Sequence, residues 1–198
     1  GENNEIKKVL NGDIELIRDT LENVSHSEFK KAVETINKAR KIYILGVRSS
    51  APLASFLYFY LNPVFENVVL VDTSSGSEMF EKMFRINEND VCVAISFPRY
   101  SQQTINALRF IFDRGASIIA ITDSEDSPIA KFAETLLVAK SDMVSVVDSL
   151  VAPLSLINAL IVSLTFSRRD EVYNNFNELE NIWDEYQVYD KSSGDENE

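Results

Sequence analysis

Ser96, Ser101 and Thr104 are the first sign of chemistry in this sequence. They lie in the stretch DVCVAISFPRYSQQTINALRFIFDRG, from Asp90 to Gly115. Val91–Ile95 is an apolar run bounded by turn residues, which suits a buried strand. Ile105, Leu108, Ile111 and Phe112 then recur at helical spacing, and Gly115 is a helix stop. Between strand and helix lies the loop Ser96-Phe97-Pro98-Arg99-Tyr100-Ser101. The first turn of a helix carries amide N–H groups without partners at the positive end of its dipole, which favours anions. Ser101 and Thr104, three apart, put both hydroxyls on one side of that turn. Ser96 ends the strand and points into the same space. Such a set suits a phosphate or a carboxylate. The plain alternative is that Ser96 and Ser101 serve only as turn and cap residues.

A second stretch repeats the arrangement. The run Lys41–Leu45 reads as a strand, Gly46-Val47-Arg48-Ser49-Ser50 as a loop, and Pro52 suits the first turn of the next helix. One glycine is too few for a dinucleotide fingerprint, and no Gly-Lys-Ser/Thr marks a P-loop. Other candidates are weaker. Ser74 and Glu78 follow a third apolar run, Asn67–Val71, although Ser75 with Glu78 also fits a capping box. His26 is the single histidine, in the first turn of a helix. It could serve as an acid or base if a neighbouring subunit brought it to a site. No metal site and no cofactor is expected.

The elements that must hold these residues alternate. A leading helix over residues 3–24 carries Ile6, Val9, Leu10, Ile14, Ile17, Leu21 and Val24, with Gly12 as its weak point. It reads either as a dimer or linker helix or as a plain core helix. Ser25 and Glu28 read as a capping box opening a helix that ends near Arg40. Two more strands follow, Ser117–Ile121 and Thr135–Ala139, with Ser127-Pro128 as a helix start between them. A long apolar helix over 148–166 and an amphipathic one over 170–186 close the order. Strands alternating with helices predict an α/β fold: a three-layer α-β-α sandwich around a five-stranded parallel sheet, flavodoxin-like, in the order 2-1-3-4-5. In that order the first and third strands flank the point where the winding reverses, and ligands sit in the crevice at their carboxyl ends. The two hydroxyl-bearing loops would then face one crevice.

Composition sets outer limits. The chain has 198 residues, 45% of them apolar, as in a globular protein. No apolar run approaches the ~18 residues of a membrane span. Acidic residues outnumber basic ones 31 to 19, a net charge of −12. Nucleic-acid affinity rests on phosphate contacts, so a surface this acidic argues against such binding by the chain itself. The single cysteine, Cys92, lies in an apolar run and reads as a small buried hydrophobe, consistent with a cytoplasmic location. Gly1 in place of Met suggests that the native N-terminus is missing. The organisation expected is a leading helix over 1–26, an α/β domain over 27–168, a C-terminal helix over 169–189 and a disordered acidic tail over 190–198.

The motifs resemble a known family. Gly46-Val47-Arg48-Ser49-Ser50-Ala51 and Ile95-Ser96-Phe97-Pro98-Arg99-Tyr100-Ser101-x-x-Thr104 resemble the two phosphate loops of the SIS (sugar isomerase) domain. Gly115-Ala116-x-x-Ile119-Ala120-Ile121-Thr122-Asp123 and Ser127-Pro128-Ile129-Ala130 are similar to the strand and helix that follow in that family. Phe-Pro-Arg-Tyr in the second loop most resembles the effector domains of RpiR-type bacterial transcription regulators. Such regulators join a helix-turn-helix to a SIS domain that senses a sugar phosphate, and this chain resembles the second part alone. The resemblance implies a ligand set of Gly46, Arg48, Ser49, Ser50, Ser96, Arg99, Ser101 and Thr104, with Ser50, Ser96, Ser101 and Thr104 as the phosphate-contacting hydroxyls. The family often has Ser-Gly where this chain has Pro98-Arg99, and a second glycine where it has Arg48. Pro98 removes one amide donor and one hydroxyl, and charge-assisted contacts from Arg48 and Arg99 would compensate.

Three functions fit. The first is a homodimeric sensor of a sugar phosphate that reaches DNA only through a missing N-terminal domain. The second is a phosphosugar isomerase, for which Glu78, Glu81 and His26 are the available acids and bases. The third is a dimerisation domain with a degenerate pocket. The leading helix and the helix over 148–166 are the candidate dimer surfaces.

Overall fold

The computed structural model describes residues 2–144 and 147–189. The acidic tail expected over 190–198 lies outside the described residues. Helix α1 (Glu2–Asn23) and helix α2 (His26–Lys38) precede strand β1 (Ile42–Leu45). A short 3-10 turn over Arg48–Ser50 leads into α3 (Ala51–Leu61), followed by β2 (Val68–Val71), α4 (Gly76–Met83), β3 (Val91–Ile95), α5 (Gln102–Asp113) and β4 (Ser117–Thr122). Then come β5 (Thr135–Val138), a two-stranded hairpin of β6 (Met143–Val144) and β7 (Val147–Asp148), and the helices α6 (Val151–Ser167) and α7 (Arg169–Glu185).

The five long strands are all parallel and lie in the order β2-β1-β3-β4-β5. Their side chains alternate between two apolar layers, because successive residues of a strand face opposite sides of the sheet. Ile42, Ile44, Val93, Ile95, Ile119 and Ile121 pack with residues of α2, α3 and α6. Tyr43, Leu45, Cys92, Ala94, Ile118 and Ala120 pack with residues of α4 and α5. Helices thus cover both faces, as a sheet of near-continuous apolar strands requires. Cys92 is buried, and burial pushes its thiol up to about 12. The amino end of the sheet is closed by buried Asp90, which accepts from Arg40 Nε at 3.0 Å and Nη2 at 2.9 Å and from the Asn87 amide at 2.9 Å.

Several local expectations differ from what is found. Ser25 caps α2 by accepting from the Glu28 amide at 3.2 Å, but the Glu28 carboxylate accepts from the Leu136 amide instead of completing the box. A tertiary partner on β5 outcompetes the local one. Glu78 accepts from Thr73 Oγ1 at 3.0 Å, and Ser75 makes no side-chain cap bond. Ser127-Pro128 starts only a 3-10 turn over Ala130–Phe132, and the Ser127 hydroxyl accepts both from the Ile129 amide at 3.4 Å and from Thr122 Oγ1 at 2.8 Å. Val147 and Asp148 belong to the hairpin, so α6 starts later than its apolar pattern predicts. Phe112 is exposed, and the buried face of α5 is Thr104, Ala107, Leu108 and Ile111.

Helix α1 lies against α6 and is tied down by Thr20 Oγ1, which accepts from the Lys140 amide at 3.0 Å. Its side chains Ile6, Leu10, Ile14, Ile17 and Leu21 are exposed, so it is not a plain core helix. No single helix among the described residues is long and apolar enough to cross a membrane.

Candidate functional site

Strands β1 and β3 are hydrogen-bonded neighbours, with Leu45 opposite Ala94, so their carboxyl ends lie roughly 4.8 Å apart. The loop leaving β1 and the loop leaving β3 therefore rise side by side. Helix α3 packs on one face of the sheet and α5 on the other. The helix starts and the loops before them therefore lie on either side of the carboxyl ends of β1 and β3, where sheets of this order place a ligand crevice.

Gly46 is what lets the first loop turn so tightly. A Cβ at this position would lie 2.8 Å from Ala54 Cβ and 2.9 Å from the Ser50 carbonyl oxygen. Only a residue without a side chain lets the α3 start fold back against the end of β1. Arg48 follows with φ +54°, in the left-handed region where glycine is favoured. Such a conformation costs a non-glycine residue about 1–2 kcal/mol, so the fold tolerates a strained arginine where the backbone suits glycine. Arg48, Ser49 and Arg99 are exposed. Neither arginine forms an ion pair among the described residues, which leaves both guanidinium groups available to an anion.

The hydroxyls are held differently. Ser50 is 4%, Ser96 4% and Thr104 1% exposed, and Ser101 is half-buried. Ser50 and Ser101 both occupy N-cap positions, of α3 and α5 respectively, yet neither hydroxyl makes a capping bond. Ser96 donates its amide to the Ile121 carbonyl at 3.1 Å, which extends the ladder and fixes its place at the strand end. The Ser96 and Thr104 hydroxyls bond to no other described residue, and neither is a fully enclosed orphan. Buried polar groups normally find partners. The α3 start offers no free amide, since the Ser50 and Ala51 N–H groups donate to the Val47 and Arg48 carbonyls and Pro52 has none. Sheltered hydroxyls without a protein partner, beside the first-turn amides of α5, can receive an anion.

The remaining candidates are spread out. Ser74 and Glu78 are exposed at the end of β2 and the start of α4. Gly76, between them, lies beside the first turn of α5, with Gln103 Oε1 3.8 Å from where its Cβ would stand. This brings the start of α4 beside the start of α5. His26 is exposed at the start of α2, whose first turn is tied to β5 through Glu28. Strand β5 stands three places from β1, on the order of 14 Å across the sheet. Within one chain His26 is not brought to the hydroxyls.

One feature escaped the sequence. The Tyr100 hydroxyl donates to Asp123 Oδ1 at 2.5 Å, which joins the β3 loop to the end of β4. Burial, followed by the hydrogen bond to Asp123, raises the phenol's pKa and keeps it a donor. Both residues stood in the quoted motifs, but a contact between separate loops has no local signal.

The SIS domain family model matches residues 35–163. An uncharacterized HTH-type transcriptional regulator of Haemophilus influenzae is 26% identical over 124 residues, which are 62% of this chain and 42% of that protein. The chain spans about half the length of the curated relatives it matches. The sugar isomerase domain of an RpiR transcription factor from Sphaerobacter thermophilus superposes with a TM-score of 0.81 at 26% identity, over 88% of this chain and 97% of that one. The Vibrio vulnificus NanR protein complexed with ManNAc-6P has a TM-score of 0.77 at 19% identity, over 90% of this chain and 68% of that one. At that identity the likeness is one of fold.

Proposed function

From the premise that this chain belongs to the SIS domain family, we propose that it is the effector-sensing part of a transcription regulator, binding a sugar phosphate without turning it over. The observation that carries this reading is the set of hydroxyls on two neighbouring strand-end loops. Ser50 and Ser101 sit where a cap residue would, yet cap nothing. Ser96 and Thr104 are sheltered without protein partners. The phosphoryl group sits between the α3 and α5 starts, with Arg48 and Arg99 reaching it from the exposed rim. Gly46 and Ser49 shape the first loop. Kinship with regulators supports the sensing role. The acids and bases an isomerase would need are scattered: Glu78 is exposed at the rim and His26 stands at the far edge of the sheet. The DNA contact belongs to a part of the regulator outside this sequence, which suits a surface of net charge −12. We place the protein in the cytoplasm.

The partner on α1 is a second copy. Leu10, Ile14, Ile17, Leu21 and Val24 recur at alternating four- and three-residue steps, the seam of a helix that packs against another helix. Leu10, Ile14, Ile17 and Leu21 are exposed along it. Ligand binding acts on the regulator only through its different affinity for two dimer geometries.

The test is titration calorimetry against a panel of hexose and amino-sugar phosphates, paired with NMR of the same mixtures over hours. Micromolar uptake of at least one member with no interconversion is expected. Turnover of any member would show an isomerase, and no uptake at all would leave a dimerisation domain.

A further inference from the structure

A carboxylate beside an anion site needs a reason, because it opposes the charge the site receives. Asp123 is such a group. It stands two residues beyond Ile121, whose carbonyl accepts from the Ser96 amide, so it rises next to the loop that carries Ser96 and Ser101. It is half-buried, and its hydrogen bonds all fall on one oxygen. Oδ1 accepts from the Tyr100 hydroxyl at 2.5 Å and lies 3.3 Å from Thr122 Oγ1. Oδ2 accepts from no other described residue. The Thr122 hydroxyl also meets buried Ser127 at 2.8 Å, so the turn after β4 is braced from below. An ionised carboxyl is an acceptor only. It repels phosphate and attracts hydroxyl groups.

We infer that Asp123 is a specificity-determining contact: its free oxygen accepts hydrogen bonds from the hydroxyls of the sugar whose phosphate sits at the α5 start. Tyr100 is a positioning residue that pins the other oxygen and so fixes where Oδ2 stands. The inference rests on the proposed phosphosugar reading and deepens it, since it assigns the polyol part of the ligand to residues outside the phosphate loops. It requires a ligand with a free hydroxyl near the phosphate. An inorganic anion cannot use the contact and is opposed by its charge.

The experiment compares two probes on the full chain: inorganic phosphate and the tightest member of the hexose phosphate panel. Asp123→Asn retains the shape and can still accept from Tyr100, but places a donor where Oδ2 stood. It is expected to weaken the sugar phosphate about 10- to 100-fold, the loss of a charged hydrogen bond. Phosphate affinity is expected to stay level or rise a few-fold, because a negative charge has gone. Tyr100→Phe is expected to weaken the sugar phosphate about 5-fold, leave phosphate level and reduce discrimination between epimers. Thermal melting of both variants reports on the fold. Equal losses for both probes would mean that Asp123 only braces the loop, and overturn the inference. Unchanged binding of both probes would place Asp123 away from the ligand, also overturning it. A wild-type protein that takes up phosphate but no sugar phosphate would refute the polyol contact while leaving the anion site. Failure to bind either probe would remove the proposed function and this inference with it.

Discussion

Gly46→Ala is the sharpest perturbation the structure offers. The added Cβ would stand 2.8 Å from Ala54 Cβ and 2.9 Å from the Ser50 carbonyl oxygen. Carbon atoms in good contact lie about 3.5–4.0 Å apart. Neither neighbour can rotate away, since one is a backbone atom and the other a methyl fixed to a buried helix. The start of α3 must therefore move by several tenths of an ångström. Overpacking of this kind costs about 1–3 kcal/mol. In urea, with a slope of roughly 2 kcal/mol/M for a protein this size, the midpoint is expected to fall by about 1 M at unchanged slope. The shift also carries the Ser50 hydroxyl away from the proposed anion site. Loss of one hydrogen bond to a charged ligand is worth about 1.5–3 kcal/mol, so sugar phosphate affinity is expected to fall roughly 10- to 150-fold by calorimetry. Gly12→Ala is the control. A Cβ there meets nothing within 4 Å, and alanine gains about 0.8–1 kcal/mol over glycine inside a helix. That variant is expected to melt higher and bind as before. A Gly46→Ala protein with wild-type midpoint and affinity would refute the packing argument and the site built on it.

Ser96→Ala and Thr104→Ala are each expected to weaken the sugar phosphate by about 1–2 kcal/mol in calorimetry with little change in melting temperature; unchanged affinity would misplace the anion. Cys92 carries a thiol pushed up to about 12 by burial, against about 8.5 in an unfolded chain. Its contribution is complete below about pH 8.5 and lost as pH rises towards 12. Between pH 8 and 10, urea unfolding of Cys92→Ala should lose about 2 kcal/mol less than wild type; parallel losses would refute the burial argument. Leu10→Asp with Leu21→Asp is expected to give a folded monomer by light scattering, and an intact dimer would move the interface off α1.

The alternation of apolar strands and helical faces was enough to fix the layer architecture, because burial on both faces of a parallel sheet writes near-continuous apolar runs into the chain; the strand order was expected only from the usual arrangement of five-stranded doubly-wound sheets, and the fold has it. The two loops were legible for a similar reason: hydroxyls and a glycine cluster where strands become helices. Local chemistry cannot foresee a partner from another element. Glu28 left its cap for the Leu136 amide, and Ser127, besides accepting from the Ile129 amide, meets Thr122 at the end of β4. The sequence also left two meanings open for Ser96 and Ser101, turn or cap residue and ligand group; the fold shows only that the Ser101 hydroxyl does not cap α5. Likewise α1 carries the same apolar spacing whether it is buried or bare, and tertiary packing alone decides which of its faces meets α6. The Tyr100–Asp123 bond belongs wholly to the fold, since it joins loops whose nearness exists only once β3 and β4 have paired.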